Sequence, residues 1–273
     1  MKLEKISKIV SRVKDKAENF ELSKEDVASM IDLTELSPYV KKEKIEQLCE
    51  QAVEFDFHSV AVNPYYVDIC SDLLSQEEVK ITSTIGFPLG QIPQELKAFE
   101  SQKVRERGAD EIDMVMNIAA FRDEEYEMVR NEVKRVVTAS GDCLVKVILE
   151  TGYLTYEEIE KACQIVMESG ADFVKNSTGF GPCGANIPHI YLMRKSVGGD
   201  FGVKAAGGIG SFREVLLMAA AGANRIGSSS GVQILESYGK KMDFEKSPFS
   251  EPPFVELSEG DVPRSVYEYY DNE

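Results

Sequence analysis

Histidine is nearly absent: His58 and His189 are the only two in 273 residues. A histidine metal site or a Ser-His-Asp triad would have to use one of them, and ordinary packing is the more economical role for each. Paired cysteines are missing too. Cys49, Cys70, Cys143, Cys163 and Cys183 make an odd count, with irregular spacing and no C-x-x-C. That excludes a disulfide scaffold or a structural zinc cluster and fits a reducing, cytoplasmic compartment. Positive charge is in deficit, with 31 Lys and Arg against 47 Asp and Glu and a net charge of −16. A nucleic-acid partner wants a basic footprint and is therefore excluded. The acidity serves solubility. No apolar run approaches the ~20 residues that cross a bilayer, so no membrane partner is expected. The opening "MKLEKISKIVSRVKDKAENF" has neither an apolar core nor a small-residue cleavage site, which argues against a signal peptide.

What is present is repetition. "ERGADEIDMV" (106–115), "ESGADFVKNS" (168–177) and "AAGANRIGSS" (220–229) share one grammar. A helical pattern stops at glycine, Ala and Asp or Asn follow, and a β-rich run begins. Gly108, Gly170 and Gly222 suit the left-handed position that ends a helix. Extended along the chain, the grammar predicts strands at Met30–Asp32, Ser59–Asn63, Lys80–Thr84, Glu111–Val115, Leu144–Leu149, Phe173–Lys175, Gly202–Ala205 and Arg225–Gly227. Helices are predicted at 41–54, 65–74, 94–107, 123–139, 155–169, 187–196, 211–221 and 229–238. Thr155 with Glu158 three residues on reads as a capping box. Eight alternating units predict an α/β fold of the (β/α)8 TIM-barrel type. A doubly wound open sheet competes, but it usually has fewer units and a glycine-rich first turn, which is missing here. The domain reading is an N-terminal helix at 1–22, a single barrel domain at 23–240 and an acidic tail at 241–273. The helix is expected to close the barrel bottom or pack on a partner.

Barrel active sites lie at the carboxyl ends of strands, and strand alternation decides which side chains face inward. In "EIDMV", Ile112 and Met114 suit the helix-facing side, so Asp113 points in along with Glu111 and Val115. By the same count Lys175 points in from the sixth strand and Lys204 from the seventh. Lys146 and Asp32 are further candidates for the interior. One strand-end lysine is most simply an ion pair that snorkels. Two on neighbouring strands, ~4.8 Å apart, disfavour double protonation. Lowering a lysine from ~10.4 to ~7 costs ~4–5 kcal/mol and raises its neutral fraction several-hundred-fold. A neutral amine can attack a carbonyl and form a Schiff base. Two glycine- and serine-rich loops follow in the last two units, "AAGGIGS" with Gly207 and Gly208, and "GSSSG" with Gly227, Ser229 and Ser230. Loops after strands seven and eight commonly hold phosphate in barrels.

The stretches "IDLTELSP" (31–38), "VAVNPYYV" (60–67), "TSTIGFPLG" (82–90), "ADEIDMVMNI" (109–118), "VKVILETG" (145–152), "ADFVKNSTGFG" (171–181), "VKAAGGI" (203–209) and "RIGSSSG" (225–231) carry a resemblance. Over residues 30–235 the chain resembles the deoxyribose-phosphate aldolase family of class I, Schiff-base aldolases. The resemblance implies cleavage of 2-deoxy-D-ribose 5-phosphate to D-glyceraldehyde 3-phosphate and acetaldehyde, with no metal or organic cofactor. It implies Lys175 as the Schiff-base lysine, Lys204 as the cation that lowers its pKa, and Asp113 as partner in a water-mediated proton relay. Gly179, Gly207, Gly208, Gly227, Ser229 and Ser230 would hold the phosphate of a small phosphosugar. A homodimer is suggested on the same ground. Departures fall at Asn176, where the family usually has Thr, at Gly210, where it has Arg, and at Ala61, Cys183 and Asn186. Losing the Arg weakens phosphate binding by ~1–3 kcal/mol if it made a charge-assisted bond. Two alternatives stand beside this reading. One is a Schiff-base aldolase for a different or unphosphorylated aldehyde, and the other is a phosphosugar-binding barrel without catalysis.

Overall fold

Parallel strands with apolar residues on one face need helices to cover that face, and here the covering is complete. The computed structural model describes residues 3–240 and 242–244. The elements are α1 (Leu3–Glu18), α2 (Lys24–Met30), β1 (Ile31–Glu35), α3 (Lys42–Glu54), β2 (Ser59–Val62), α4 (Val67–Leu73), β3 (Lys80–Ile85), α5 (Gln94–Glu106) and β4 (Glu111–Val115). They continue with α6 (Ile118–Arg122), α7 (Tyr126–Ser140), β5 (Leu144–Ile148), α8 (Tyr156–Glu168), β6 (Phe173–Lys175), α9 (Ile187–Val197), β7 (Gly202–Ala206), α10 (Phe212–Ala221), β8 (Arg225–Ser228) and α11 (Gly231–Glu236). The strands close in sequence order, β1 pairing with β8, and all pairs are parallel. This is the predicted (β/α)8 barrel; the open-sheet alternative is excluded by the closure.

The repeated joint works as its composition requires. Gly108, Gly170 and Gly222 all have positive φ, at 105°, 82° and 118°, where a side chain would be strained. Thr155 and Glu158 form the reciprocal capping box of α8. The apolar core lies between strands and helices: Ile31, Leu33, Ile112, Met114, Val145, Val147, Val174, Val203 and Ile226 are all buried there. Their inward neighbours on the same strands, among them Asp32, Glu111, Asp113, Lys146, Lys175, Lys204 and Arg225, are largely polar.

Three expectations are corrected. The N-terminal helix ends at Glu18 rather than at 22, and it lies along the outside of the barrel against α9 and α10 instead of across the bottom. Lys16 Nζ reaches the Ala220 carbonyl at 3.0 Å. A separate helix, α2, with Ser23 and Asp26 as a capping box, leads into β1. That first strand starts at Ile31 and runs to Glu35, so the predicted Met30–Asp32 was set too early. The helix predicted from 123 is preceded by α6, whose first turn is capped by Asn117 Oδ1 accepting the Ala120 N–H at 3.1 Å. Of the predicted tail, 242–244 is described; the rest lies outside the described residues.

One buried ion pair fixes the end of β4. Lys97 on α5 and Glu132 on α7 are both fully buried, with Nζ 2.7 Å from Oε1. Lys97 also donates to the Val115 carbonyl at 2.8 Å, and Glu132 Oε2 accepts the Asn117 N–H at 3.0 Å. The pair thus holds the loop two residues beyond Asp113. Lys97→Met leaves Glu132 buried and unpaired, and is expected to cost ~3–5 kcal/mol in urea unfolding. The double variant Lys97→Met with Glu132→Leu should recover most of that loss. A single variant as stable as the parent would remove the assignment.

Candidate active site

Alternation and register place the interior residues. Asp113 stands beside Lys146 across the β4–β5 pair, and Lys175 beside Lys204 across β6–β7. All four side chains converge on one point. Asp113 Oδ2 accepts from Lys175 Nζ at 2.7 Å and from Lys204 Nζ at 2.8 Å, while Oδ1 accepts from Lys146 Nζ at 2.8 Å. Lys204 Nζ is also 2.5 Å from Asp32 Oδ2. Below this layer, Lys146 Nζ lies 2.6 Å from Glu111 Oε2, and Arg225 Nη1 bridges Asp32 Oδ1 at 2.9 Å and Glu111 Oε2 at 3.1 Å. His58 Nε2 meets Glu111 Oε1 at 2.9 Å near the amino-terminal end. The interior of this barrel is therefore a charge network, where branched aliphatic layers are the more usual filling.

Small residues make room for it. A Cβ on Gly227 would sit 3.1 Å from Lys204 Cε, so glycine on β8 lets that lysine cross the cylinder. A Cβ on Gly202 would fall on the Phe173 ring, which in turn lies 5.4 Å from the Arg225 guanidinium. Arg225 is thus held by two carboxylates and an aromatic face.

Four cations, Lys146, Lys175, Lys204 and Arg225, share three carboxylates, Asp32, Glu111 and Asp113. One cation is in excess. The group best placed to lose its proton is Lys175, whose pKa burial pushes down to about 8; Asp113 pulls it up, and Lys204 and Lys146 push it down. Burial does more here than the neighbouring cation. Asp113 would be raised by its burial, but Lys146, Lys175 and Lys204 hold it well below the usual carboxylate range. Lys146 goes the other way: burial would lower it, yet Asp113, Asp32 and Glu111 raise it above an ordinary lysine. Lys175 and Lys146 are therefore chemically distinct, and the one with the free-amine tendency is the one facing the opening.

That opening is a cavity of about 500 Å³ at the carboxyl end of the barrel. Its lining brings together Lys175, Gly179, Gly207, Gly208, Gly227, Ser229 and Ser230, which are all the predicted binding residues and the predicted Schiff-base lysine. Asp113 and Lys204 lie beneath its floor, fully buried, with Asp113 in contact with both Lys175 and Lys204. Gly207 and Gly208 take positive φ of 93° and 80°. Asn176 bonds the Ala206 backbone twice, accepting its N–H at 2.7 Å and donating to its carbonyl at 3.1 Å. The amide at this position thus extends the β6–β7 pairing next to Lys175. Thr178 is fixed by Glu150, whose Oε2 accepts both its N–H and its hydroxyl. Glu150 takes a left-handed backbone, φ 51°, to reach it.

Other candidates resolve differently. The Cys183 thiol is pushed up to about 12 by burial and by Glu150, so it is no nucleophile. His189 is buried against Thr151 and Asn186, and burial lowers it to about 4. Asp32, His58 and Glu111 have ligand atoms within 4.8 Å of one another. Arg225 and Lys146 already hold those carboxylates, so the cation there is the protein's own. The sequence places Lys146, Asp32 and Glu111 in the interior without giving them a role, and nothing in its alternation singles out Arg225. Among the described residues no helix is long and apolar enough to cross a membrane.

Comparison with known proteins agrees with this geometry. The family described as DeoC/LacD family aldolase matches residues 26–237. A deoxyribose-phosphate aldolase of Thermococcus kodakarensis is 52% identical over 219 residues, covering 79% of this chain and 98% of that protein. The enzyme of the same name from Macrococcus caseolyticus is 48% identical over 219 residues, covering 80% of this chain and 100% of its own. A solved deoxyribose phosphate aldolase structure from Aeropyrum pernix, described as tetrameric, superposes with a TM-score of 0.79 at 35% identity, covering 84% of this chain and 98% of that one.

Proposed function

The chain belongs to the DeoC/LacD family of aldolases, and from that premise we propose that it reversibly cleaves 2-deoxy-D-ribose 5-phosphate through an imine on Lys175. The observation that carries this reading is the position of Lys175. Its amine lies at the base of the cavity, 2.7 Å from Asp113 Oδ2, with a pKa lowered by burial to about 8. At pH 7.5 a group of that pKa is neutral in roughly a quarter of molecules, against about 0.1% for an ordinary lysine.

The neutral Lys175 amine adds to C1 of the sugar aldehyde, and loss of water gives the imine. Protonated, the imine withdraws electrons from C2. A base removes the proton of the C3 hydroxyl, the C2–C3 bond breaks, and its electron pair enters the iminium to form an enamine. D-glyceraldehyde 3-phosphate leaves. Protonation of the enamine at C2 and hydrolysis release acetaldehyde and the free amine. We assign the proton movements to Asp113 and Lys204 through water. Support comes from their shared atom: Asp113 Oδ2 contacts both Lys175 Nζ and Lys204 Nζ. Gly179, Gly207, Gly208, Gly227, Ser229 and Ser230 are assigned to the phosphate end, because they line the same cavity as Lys175.

Borohydride reduction in the presence of acetaldehyde tests the assignment. N-ethyl-lysine at Lys175 is expected by peptide mass spectrometry. Trapping at another lysine, or none in a preparation that cleaves the sugar, would count against it. We further place the enzyme in the cytoplasm, in line with five free cysteines, and infer a homodimer, which analytical ultracentrifugation distinguishes from the tetramer described for the Aeropyrum pernix relative.

A further inference from the structure

The cavity above Lys175 is poor in positive charge. Of the described residues lining it, Lys175 is the one cation, and Glu35 on β1 brings a carboxylate to the same wall. Lys175 is itself turned down onto Asp113. Two loop donors suited to an anion are already taken. The Gly210 N–H donates to Glu214 Oε2 at 2.7 Å, and the Ser230 N–H donates to Ser228 Oγ at 3.0 Å. Ser228 Oγ donates onward to the Ile209 carbonyl at 2.5 Å, which ties the β8 loop to the β7 loop.

Glu214 stands in the first turn of α10, where unpaired backbone N–H groups and the helix dipole favour a negative charge. Its Oε1 lies 3.5 Å from the Arg213 guanidinium. That guanidinium also donates to the Asp243 carbonyl at 3.0 Å. A Cβ built on Gly210 would be 3.9 Å from both Glu214 Oε2 and Ser230 Oγ. Gly210, which lines the cavity, therefore has the carboxylate on one side and the hydroxyl that opens α11 on the other, each within reach of a side chain placed there.

We propose that Glu214 is a specificity-determining residue: a resident anion at the start of α10, bonded to the β7 loop through Gly210, which makes the cavity discriminate weakly between a phosphorylated 2-deoxyaldose and its unphosphorylated counterpart. The proposal rests on the aldolase reading and adds a substrate class to it. An arriving phosphate meets a like charge and finds the Gly210 N–H engaged. A terminal hydroxyl meets neither obstacle.

The test compares kcat/KM for 2-deoxyribose 5-phosphate with that for 2-deoxyribose, in the parent and in two variants. Glu214→Gln removes the charge and keeps an oxygen for Gly210. Gly210→Arg adds a cation at a site with open space and a backbone outside the left-handed region. Because both sugars are measured on one preparation, the ratio cancels any inactive fraction. The phosphorylated-to-free ratio is expected to rise about tenfold or more in Glu214→Gln, through KM of the phosphorylated sugar, with a matching fall in the inhibition constant of inorganic phosphate. A smaller rise overturns the assignment. Should Glu214→Gln fail to fold, the same threshold on Gly210→Arg decides. Cleavage of neither sugar by the parent, with no imine trapped on Lys175, overturns the aldolase reading and this proposal with it. Normal cleavage with an unmoved ratio overturns the proposal alone.

Discussion

Lys175→Met is expected to abolish turnover and to stabilise the fold. The first effect follows from loss of the only amine that the described residues bring to the cavity floor. The second follows from linkage. Lys175 has a folded pKa of about 8, against 10.5 for an ordinary lysine, with burial as the main cause. The unfolded chain therefore holds a proton, between about pH 8 and 10.5, that the folded chain has released. The penalty is present in full below pH 8, and stability rises with pH through this window. Methionine removes it. At about 1.36 kcal/mol per pKa unit, and allowing for the lost bond to Asp113, the gain at pH 7 is ~1–3 kcal/mol. The gain should fade as pH rises toward 10.5, the ordinary lysine value. Asp113 keeps Lys146 and Lys204 as partners in the variant. Urea unfolding of parent and variant at several pH values checks the claim; a Lys175→Met protein less stable than the parent at pH 7 would defeat it.

Lys204→Leu is the second large effect. It leaves Asp113 Oδ2 to Lys175 alone and takes from Asp32 its partner at 2.5 Å. Lys175 then loses a cation that lowers its pKa, and it keeps an anion that raises it. The acid limb of the kcat/KM profile should move up by about one unit, each unit costing tenfold in neutral amine below the limb. With the relay also broken, kcat should fall by ~10²–10⁴. The limb should stop short of an ordinary lysine, because burial remains. Lys204→Arg keeps the charge and should hold the limb in place while lowering kcat. A Lys204→Leu profile with an unmoved limb would show that the second cation has no part in tuning the first.

These two cases mark where sequence reasoning stopped. Strand alternation and a glycine-ended helix grammar suffice for the barrel, because both are local consequences of backbone geometry. They also bring Asp113, Lys175 and Lys204 to one side of the sheet. They do not say how dry the interior is, and so do not show that burial outranks Lys204 in lowering Lys175. Nor do they show how many charges share the cylinder. Arg225, Glu111 and Lys146 come from strands remote in sequence, and their pairing depends on register around the closed sheet. The path of α1 along α9 and α10 was equally hidden, since an amphipathic face does not name its partner. Asn176, legible as a departure, becomes intelligible only with its two bonds to Ala206 in view.

The cohesive apolar surface of this protein sits outside the cylinder, between strands and helices, and the lumen is filled with ions. Chemistry and adhesion are therefore housed in separate compartments. Redesign of the lumen leaves the oily shell untouched, but it is bound by electroneutrality: deleting Glu111 alone leaves Arg225 to Asp32 and Lys146 to Asp113 and adds a second cation in excess, whereas deleting an anion with its counter-cation keeps the balance. The natural unit of variation inside the barrel is the pair, and a search that changes one position at a time will miss most of the routes open to it.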